Sequence, residues 1–336
     1  MNTRPYGVWA RSVLSPRDRL LPGIGQRLGR RPRLAAAILV GLRRIPGRTL
    51  RGTVYRNVSR PLAQRMDSRL VVSVTGGSRM NVDTSDMLGR VLATSGVWEP
   101  QVTAVFQRLL ARGDVCVDVG AHAGYYTLLA SRLVGPAGRV YALEPSARAH
   151  EALRANLALN AVSNVIALLT AAGASEGSVQ LSDPPSGNTG EASVRRDDAM
   201  SPKLGAGASS TVSVRTVASL LDTADADRVR LVKIDVEGFE AEVLRGLAPL
   251  FERGSRPALI VELHPDGASD AVELLAAMSS AYGLTAYELV RNPYRERFAQ
   301  VPPPREILEL HELVELCVSR TVNILLAPGE APFPTR

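Results

Sequence analysis

An alternation of short apolar runs with helical patterns over residues 114–328 constrains this chain most strongly. The apolar run Val115–Val119 ends in a glycine turn, and a helical pattern over Gly124–Val134 follows it. Further strands are predicted, with helices between most of them, at Arg139–Leu143, Asn164–Leu169, Thr211–Val217, Leu231–Val236, Ala258–Leu263, Leu284–Val290 and Thr321–Leu326. Strands and helices that alternate in this way predict an α/β fold with about seven mostly parallel strands and helices on both faces.

The flanking segments have a different character. Residues 1–61 form an arginine-rich arm, residues 62–113 read as strands and helices that cap the domain, and residues 329–336 are a tail. Residues 182–210 are rich in Ser, Gly, Pro and Asp and predict a long surface loop with some strand. No stretch approaches the ~20 apolar residues of a membrane span. We expect a cytoplasmic protein, with peripheral contact at the inner membrane surface as one role for the arm.

The charge of the chain is divided unevenly between the arm and the rest. Residues 1–60 contain 14 arginines and one acid, whereas the remaining residues carry −6 of the total net charge of +7. An amphipathic piece at Arg33–Ile45 belongs to the arm. Its apolar stripe is predicted as Leu34, Ala37, Ile38, Gly41, Leu42 and Ile45. Attraction to anionic lipid headgroups, a solvated tail, and a helix packed on the catalytic domain remain as alternatives.

The glycine turn after the first strand indicates a nucleoside site. The turn reads Asp118-Val-Gly120-Ala-His122-Ala-Gly124, which differs from the G-x-G-x-x-G of dinucleotide sites. Asp118 ahead of the first glycine would repel a pyrophosphate and attract the ammonium and sulfonium of S-adenosylmethionine. Glu144 ends the second strand, where a carboxylate can accept from both ribose hydroxyls. The turn therefore favours S-adenosylmethionine over NAD(P), so an oxidoreductase is the weaker alternative.

Several motifs together resemble the FkbM family of S-adenosylmethionine-dependent methyltransferases. The matching segments include Gly96–Pro100, Gly113–Thr127, Ala142–Pro145, Asn188–Gly190, Val232–Glu240, Val243–Gly246 and Pro257–His264. The resemblance covers residues 68–327, and one departure is His122, where the family commonly has Asn. It implies methyl transfer to a hydroxyl, often on a sugar of a glycolipid, polysaccharide or antibiotic. The cofactor-binding residues are then expected to be Glu99, Asp118, Gly120, Ala121, His122, Gly124, Tyr125, Thr127, Glu144, Pro145 and Asp235.

The catalytic candidates lie where the fourth and fifth strands end. Asp235 is the first choice as a base or as an acid that orients the acceptor, with Glu237 and His264 beside it. Glu262 shares a face with His264, because the two residues are two positions apart on a strand. These four residues could also form an oxygen-rich Mg²⁺ site, and no spacing specifies one. A second interpretation makes Asp235 and Glu237 caps of the helix that begins near Gly238.

Three further interpretations concern Lys233, Glu99 and the partners. Lys233 is expected to pair with a nearby acid inside its strand, without a functional role. Glu99 is expected to bind the amino group of the cofactor or to cap the helix that follows it. We expect a small-molecule or glycan acceptor. We expect no nucleic-acid partner, because the arm has few stacking aromatics and no known nucleic-acid motif. The residues leave the oligomeric state open, and the intact motifs argue against a catalytically dead relative.

Overall fold

The fold was analysed in a computed structural model of the full chain. The structure describes residues 31–43, 58–59, 62–63, 69–182, 193–195, 209–265, 268–290, 304–307 and 310–329. Most of the arginine-rich arm, much of the loop predicted at 182–210, and all but the first residue of the tail lie outside these ranges.

Fourteen strands and ten helices are assigned within the described residues. The strands are β1 Arg69–Ser73, β2 Arg79–Asp83, β3 Val115–Val119, β4 Arg139–Leu143, β5 Val165–Leu168, β6 Ala171–Ala172, β7 Gly177–Ser182, β8 Ser193–Arg195, β9 Ser209–Arg215, β10 Val229–Ile234, β11 Ala258–Leu263, β12 Leu284–Glu288, β13 Arg305–Ile307 and β14 Val322–Pro328. The helices are α1 Pro32–Arg43, α2 Met87–Ser95, α3 Pro100–Leu109, α4 Tyr125–Val134, α5 Ala147–Leu159, α6 Val217–Leu220, α7 Thr223–Ala226, α8 Glu240–Glu252, α9 Ala268–Tyr282 and α10 Leu310–Ser319.

The central sheet has eight strands in the order β13-β12-β14-β11-β10-β3-β4-β5. β5, β4, β3, β10 and β11 are parallel, and β14 runs antiparallel between β11 and β12. Two apolar clusters cover its two faces. The predicted α/β fold is confirmed as a class I methyltransferase fold, with one strand more than expected. Because strand order reverses between β3 and β10, the carboxyl ends of these two strands flank the crevice in which such sheets bind ligands.

The strands β6, β7, β8 and β9 form a second sheet that was not predicted from the sequence. Its four strands run in the order β6-β9-β7-β8. β7 pairs with β9 over six residues, from Gly177 opposite Val214 to Ser182 opposite Ser209. The segment expected to be a loop with some strand therefore leads into a small sheet next to the main one.

The helix α1 packs on the domain, but with a different face from the one predicted. Ala35 and Leu39 are completely buried, whereas Leu34 is 46% exposed. The predicted stripe is therefore wrong in its phase, because the helix turns toward β1 and α2 the side that carries Ala35 and Leu39. Among the described residues, no helix is both long and apolar enough to cross a membrane.

Candidate functional site

The glycine turn joins the carboxyl end of β3 to the start of α4. Gly120 has a φ of 76°, and a Cβ built there would lie 1.8 Å from the backbone oxygen of Asp235. Only glycine therefore fits at this position. The backbone N–H groups of Gly120 and Ala121 both donate to the oxygen of Leu143, at 2.9 and 3.0 Å. The turn is thus fixed between the ends of β4 and β10, and there is no space for a side chain at position 120.

Glu144, at the end of β4, supports the same turn from the other side. Its carboxylate accepts from the backbone N–H of His122 at 2.7 Å and from that of Ser146 at 2.9 Å. Burial raises the pKa of Glu144 from its usual 4.5 to about 7, and the two backbone N–H groups oppose this rise. Glu144 is therefore a buried carboxylate beside the turn, with a proton that can leave near neutral pH.

Asp118 and Thr127 lie beneath the turn and brace it. Both are completely buried. The Thr127 hydroxyl donates to Asp118 Oδ2 at 2.6 Å, and Lys233 Nζ lies 3.8 Å from Asp118 Oδ1. Burial raises the pKa of Asp118, and Lys233 and Thr127 act against that rise. The sequence predicted a direct attraction between Asp118 and the cofactor; the structure instead shows Asp118 supporting the turn from inside the sheet.

Lys233 is more central than the sequence indicated. It is 5% exposed, and its Nζ lies 3.1 Å from Asp235 Oδ2 and 3.2 Å from the oxygen of Gly120. Burial would lower the pKa of Lys233, but Asp235 and Asp118 together raise it above its ordinary value. Burial alone would raise the pKa of Asp235, but Lys233, with smaller contributions from His264 and Glu262, holds the pKa of that carboxyl below its usual value. Both groups are therefore charged at neutral pH.

Asp235, Glu237 and His264 come together beyond the ends of β10 and β11. Each offers one ligand atom, and these three atoms lie within 4.8 Å of one another. His264 Nε2 is 3.5 Å from Glu237 Oε2, and His264 Nδ1 is 3.2 Å from the Thr321 hydroxyl. All three side chains are partly exposed. The cluster can accept a proton or a hydrogen bond from a molecule that enters the crevice.

The capping interpretation of Asp235 and Glu237 is wrong. α8 begins at Glu240, and its N-cap is Phe239. The side chain that binds a backbone N–H group at the start of this helix is Glu240, whose carboxylate accepts from the N–H of Gly238 at 2.9 Å. Glu237 adopts a positive φ of 51°, an uncommon conformation for a residue with a Cβ.

Glu99 reaches the site from the start of α3. It is buried, and its two carboxylate oxygens accept from Tyr126 Oη at 3.0 Å and from Asn323 Nδ2 at 3.1 Å. It makes no side-chain cap of α3, so the capping interpretation is wrong here too. Asn323 on β14 lies opposite Glu262 on β11. The hydrogen bond from Asn323 therefore connects Glu99 to the strand that carries Glu262.

The remaining predicted cofactor residues are distributed around the turn. His122 and Pro145 are partly exposed, whereas Ala121, Gly124 and Tyr125 are buried. The Tyr125 hydroxyl lies 3.1 Å from that of Thr103, inside the core. The structure thus brings all the candidates to one end of the sheet, although Tyr125 and Thr127 lie behind the surface. Sequence reasoning missed the central place of Lys233, although its position two residues before Asp235 puts both on one face of the strand.

Comparisons with known proteins indicate a methyltransferase family. Residues 118–283 match the family described as the Methyltransferase FkbM domain. The chain is 26% identical over 198 residues to "Hexuronic acid methyltransferase AglP" of Haloferax volcanii, covering 59% of this chain and 75% of that protein. It is 29% identical over 182 residues to "Methyltransferase sdnD" of Sordaria araneosa, covering 47% of this chain and 70% of that protein.

Solved structures show weaker likeness. Precorrin-6y C5,15-methyltransferase of Geobacter metallireducens is 17% identical with a TM-score of 0.36, covering 68% of this chain and 87% of that one. Likeness at this level has no bearing on function. The family match covers the glycine turn, Glu144, Lys233 and the acidic cluster in one segment. Residues 118–283 therefore form a methyltransferase domain of the FkbM type.

Proposed function

We propose that this protein is an S-adenosylmethionine-dependent O-methyltransferase that methylates a hydroxyl group of a sugar. The sugar would belong to a glycolipid, a polysaccharide or a secondary metabolite. The observation that carries the proposal is the contact between the two halves of the site. The glycine turn that would hold the cofactor touches the backbone of Asp235, and the side chain of Asp235 is grouped with those of Glu237 and His264.

The residues around the turn fit the cofactor. Glu144 would accept from the ribose hydroxyls, and His122 and Glu99 would contact the methionine end. When bound, S-adenosylmethionine supplies a methyl group activated by the sulfonium. The carboxylates near this position favour a cation over the pyrophosphate of NAD(P), since like charges repel at short range.

Asp235 is the group best placed to act on the acceptor. Its pKa is lowered by Lys233, so its carboxylate is ionised and can accept a hydrogen bond from the attacking hydroxyl. It takes the proton as the oxygen–carbon bond forms, a role that contributes about 10²–10⁴-fold in rate for a positioned base. Should Asp235 only orient the hydroxyl, His264 is the next proton acceptor.

The charge of the cluster favours a neutral hydroxyl over a carboxylate as the methylated group. Asp235, Glu237 and Glu262 present three carboxylates at the strand ends, against the one buried ammonium of Lys233. A carboxylate acceptor would be repelled, whereas a hydroxyl would donate to these oxygens. A hexuronic acid, the sugar in the name of one relative, offers both groups, so it provides a direct test.

Two experiments test the proposal. Calorimetry should show binding of S-adenosylhomocysteine and none of NAD; the reverse result would refute the cofactor. Labelled S-adenosylmethionine is then incubated with a glucuronide and with the glucoside of the same aglycone. Transferred label should resist alkali as a methyl ether does. Label released by alkali would show a methyl ester and would contradict the hydroxyl acceptor.

A second candidate mechanism uses a divalent cation at Asp235, Glu237 and His264. Its support is the grouping of their ligand atoms within 4.8 Å. Because one of the three ligands is an imidazole, the donor set fits Mn²⁺ or Zn²⁺ better than the Mg²⁺ considered from the sequence. Transfer measured after chelation, and again after each cation is returned, separates the mechanisms. Loss and recovery would support the metal, and an unchanged rate would support Asp235 alone.

A further inference from the structure

Lys233 makes contacts that join the two halves of the site. Its ammonium lies 3.2 Å from the oxygen of Gly120, in the glycine turn, and 3.1 Å from Oδ2 of Asp235. It also lies 3.8 Å from Asp118 Oδ1 and 5.3 Å from the centre of the Tyr126 ring. One buried side chain therefore touches the turn, the acid and the brace beneath the turn.

The residue type is unusual for this chain. Of 40 basic residues, only Lys203 and Lys233 are lysines. A buried site between two strands has room for a compact ammonium, which can point its three donors at separate acceptors. The planar, larger guanidinium of arginine suits paired oxygens in one plane instead. Lys233 lies within hydrogen-bond distance of a carbonyl and one carboxylate and forms an ion pair at 3.8 Å with a second carboxylate, a set of separate acceptors that suits an ammonium.

Two other contacts tie the same two segments together. The backbone N–H of Asp235 donates to the oxygen of Val119 at 3.2 Å, and the backbone of Asp235 fills the space where Gly120 would have a Cβ. These contacts fix the backbones, whereas Lys233 joins the turn to the side-chain carboxylate of Asp235.

We propose that Lys233 is a positioning residue, which sets the Asp235 carboxylate at a fixed distance from the methyl group of the bound cofactor. It acts through Asp235 and does not touch the reacting atoms. This inference rests on the proposed function, since it assumes that the glycine turn binds S-adenosylmethionine. It assigns to Lys233 a role in alignment, beyond neutralising the buried Asp118.

The test separates alignment from simple charge balance. Lys233→Met alone leaves Asp118 buried without its cation, so it can fail by unfolding. The informative variant is Lys233→Met combined with Asp118→Asn, compared with Asp118→Asn alone and with Asp235→Asn. Melting temperature, affinity for S-adenosylhomocysteine, and the NMR resonance of bound [methyl-¹³C]S-adenosylmethionine are measured for each.

The double variant should match Asp118→Asn in melting temperature and, within a few-fold, in affinity. Its methyl resonance should be displaced from that of Asp118→Asn toward that of Asp235→Asn, because the carboxylate has left the methyl group. A resonance that coincides with that of Asp118→Asn would overturn the inference and leave Lys233 a structural counter-ion. Failure of the unmodified protein to bind the labelled probe would overturn the cofactor assignment and, with it, this inference.

Discussion

Replacement of Glu144 by glutamine should stabilise the cofactor-free protein above neutral pH while weakening cofactor binding. Burial raises the pKa of Glu144 from 4.5 to about 7. The folded state therefore binds this proton more tightly than the unfolded chain does. Between these two values the unfolded chain has already released the proton, so this group's contribution to the free energy of unfolding falls as pH rises, and the fall is complete above about 7.

The size of the effect follows from the same two values. Each pKa unit corresponds to 1.36 kcal/mol, so ionised Glu144 costs about 3 kcal/mol above pH 7 relative to its protonated form. Glutamine resembles the protonated carboxyl: it accepts from one of the N–H groups of His122 and Ser146 and carries no charge. Glu144→Gln should therefore lie within about 1 kcal/mol of the unmodified protein near pH 5 and exceed its stability near pH 8 by up to about 3 kcal/mol.

Urea unfolding of both proteins without cofactor, at intervals from about pH 5 to pH 8, gives the required difference. Taking the difference removes the contributions of the titrating groups that do not interact with Glu144. Affinity for S-adenosylhomocysteine is measured at the upper pH, where the variant should bind more weakly because ribose hydroxyls lose a charged acceptor. Parallel stability curves, or a variant less stable at pH 8, would refute the reasoning.

Three further results are expected. Asp235→Asn should nearly abolish methyl transfer, measured with labelled S-adenosylmethionine, and should leave the affinity for S-adenosylhomocysteine, measured by calorimetry, within a few-fold. A native rate of transfer would instead assign the proton to His264. Gly120→Ala should prevent folding or cofactor binding, because its Cβ would overlap the Asp235 oxygen, which circular dichroism and calorimetry would detect. The full chain should sediment with anionic vesicles to a greater extent than a chain that begins at Arg31. The shorter chain keeps α1 and its buried Leu39. Equal sedimentation of the two would show that the arm does not bind lipid.

The main sheet was predictable because its strands obey local rules. Val115–Val119, Arg139–Leu143 and Ala258–Leu263 were placed with their observed ends, since each is an apolar run that stops at a glycine or a polar residue. Glu144 and Asp235 follow from such strand ends, because the carboxyl ends of parallel strands meet at one edge of the sheet. The position of the candidate site was therefore implicit in the strand boundaries.

The contacts inside the site were not predictable in the same way. Glu99 meets Asn323 across 224 positions of sequence, through the antiparallel pairing of β14 with β11. Nothing local to either residue indicates that pairing. The phase of α1 failed for a related reason: its sequence offers apolar residues on more than one side, and the surface it packs on decides which side is buried.

Stability alone does not account for the buried charges beneath the site. Asp118 and Lys233 are directly opposite on β3 and β10, and Glu262 lies opposite Asn323 one strand further on. Replacing a buried ion pair by apolar residues of the same volume is often neutral or stabilising by about 1–4 kcal/mol. On the other face of the same strands, Val117 and Val232 do form such an apolar layer. The polar residues Asp118, Lys233, Glu262 and Asn323 are confined to the side of the sheet, and to the strand ends, that meet the glycine turn. The proposed function accounts for their desolvation cost, because charges that are already fixed in place would not have to reorient when the methyl group and the acceptor approach each other.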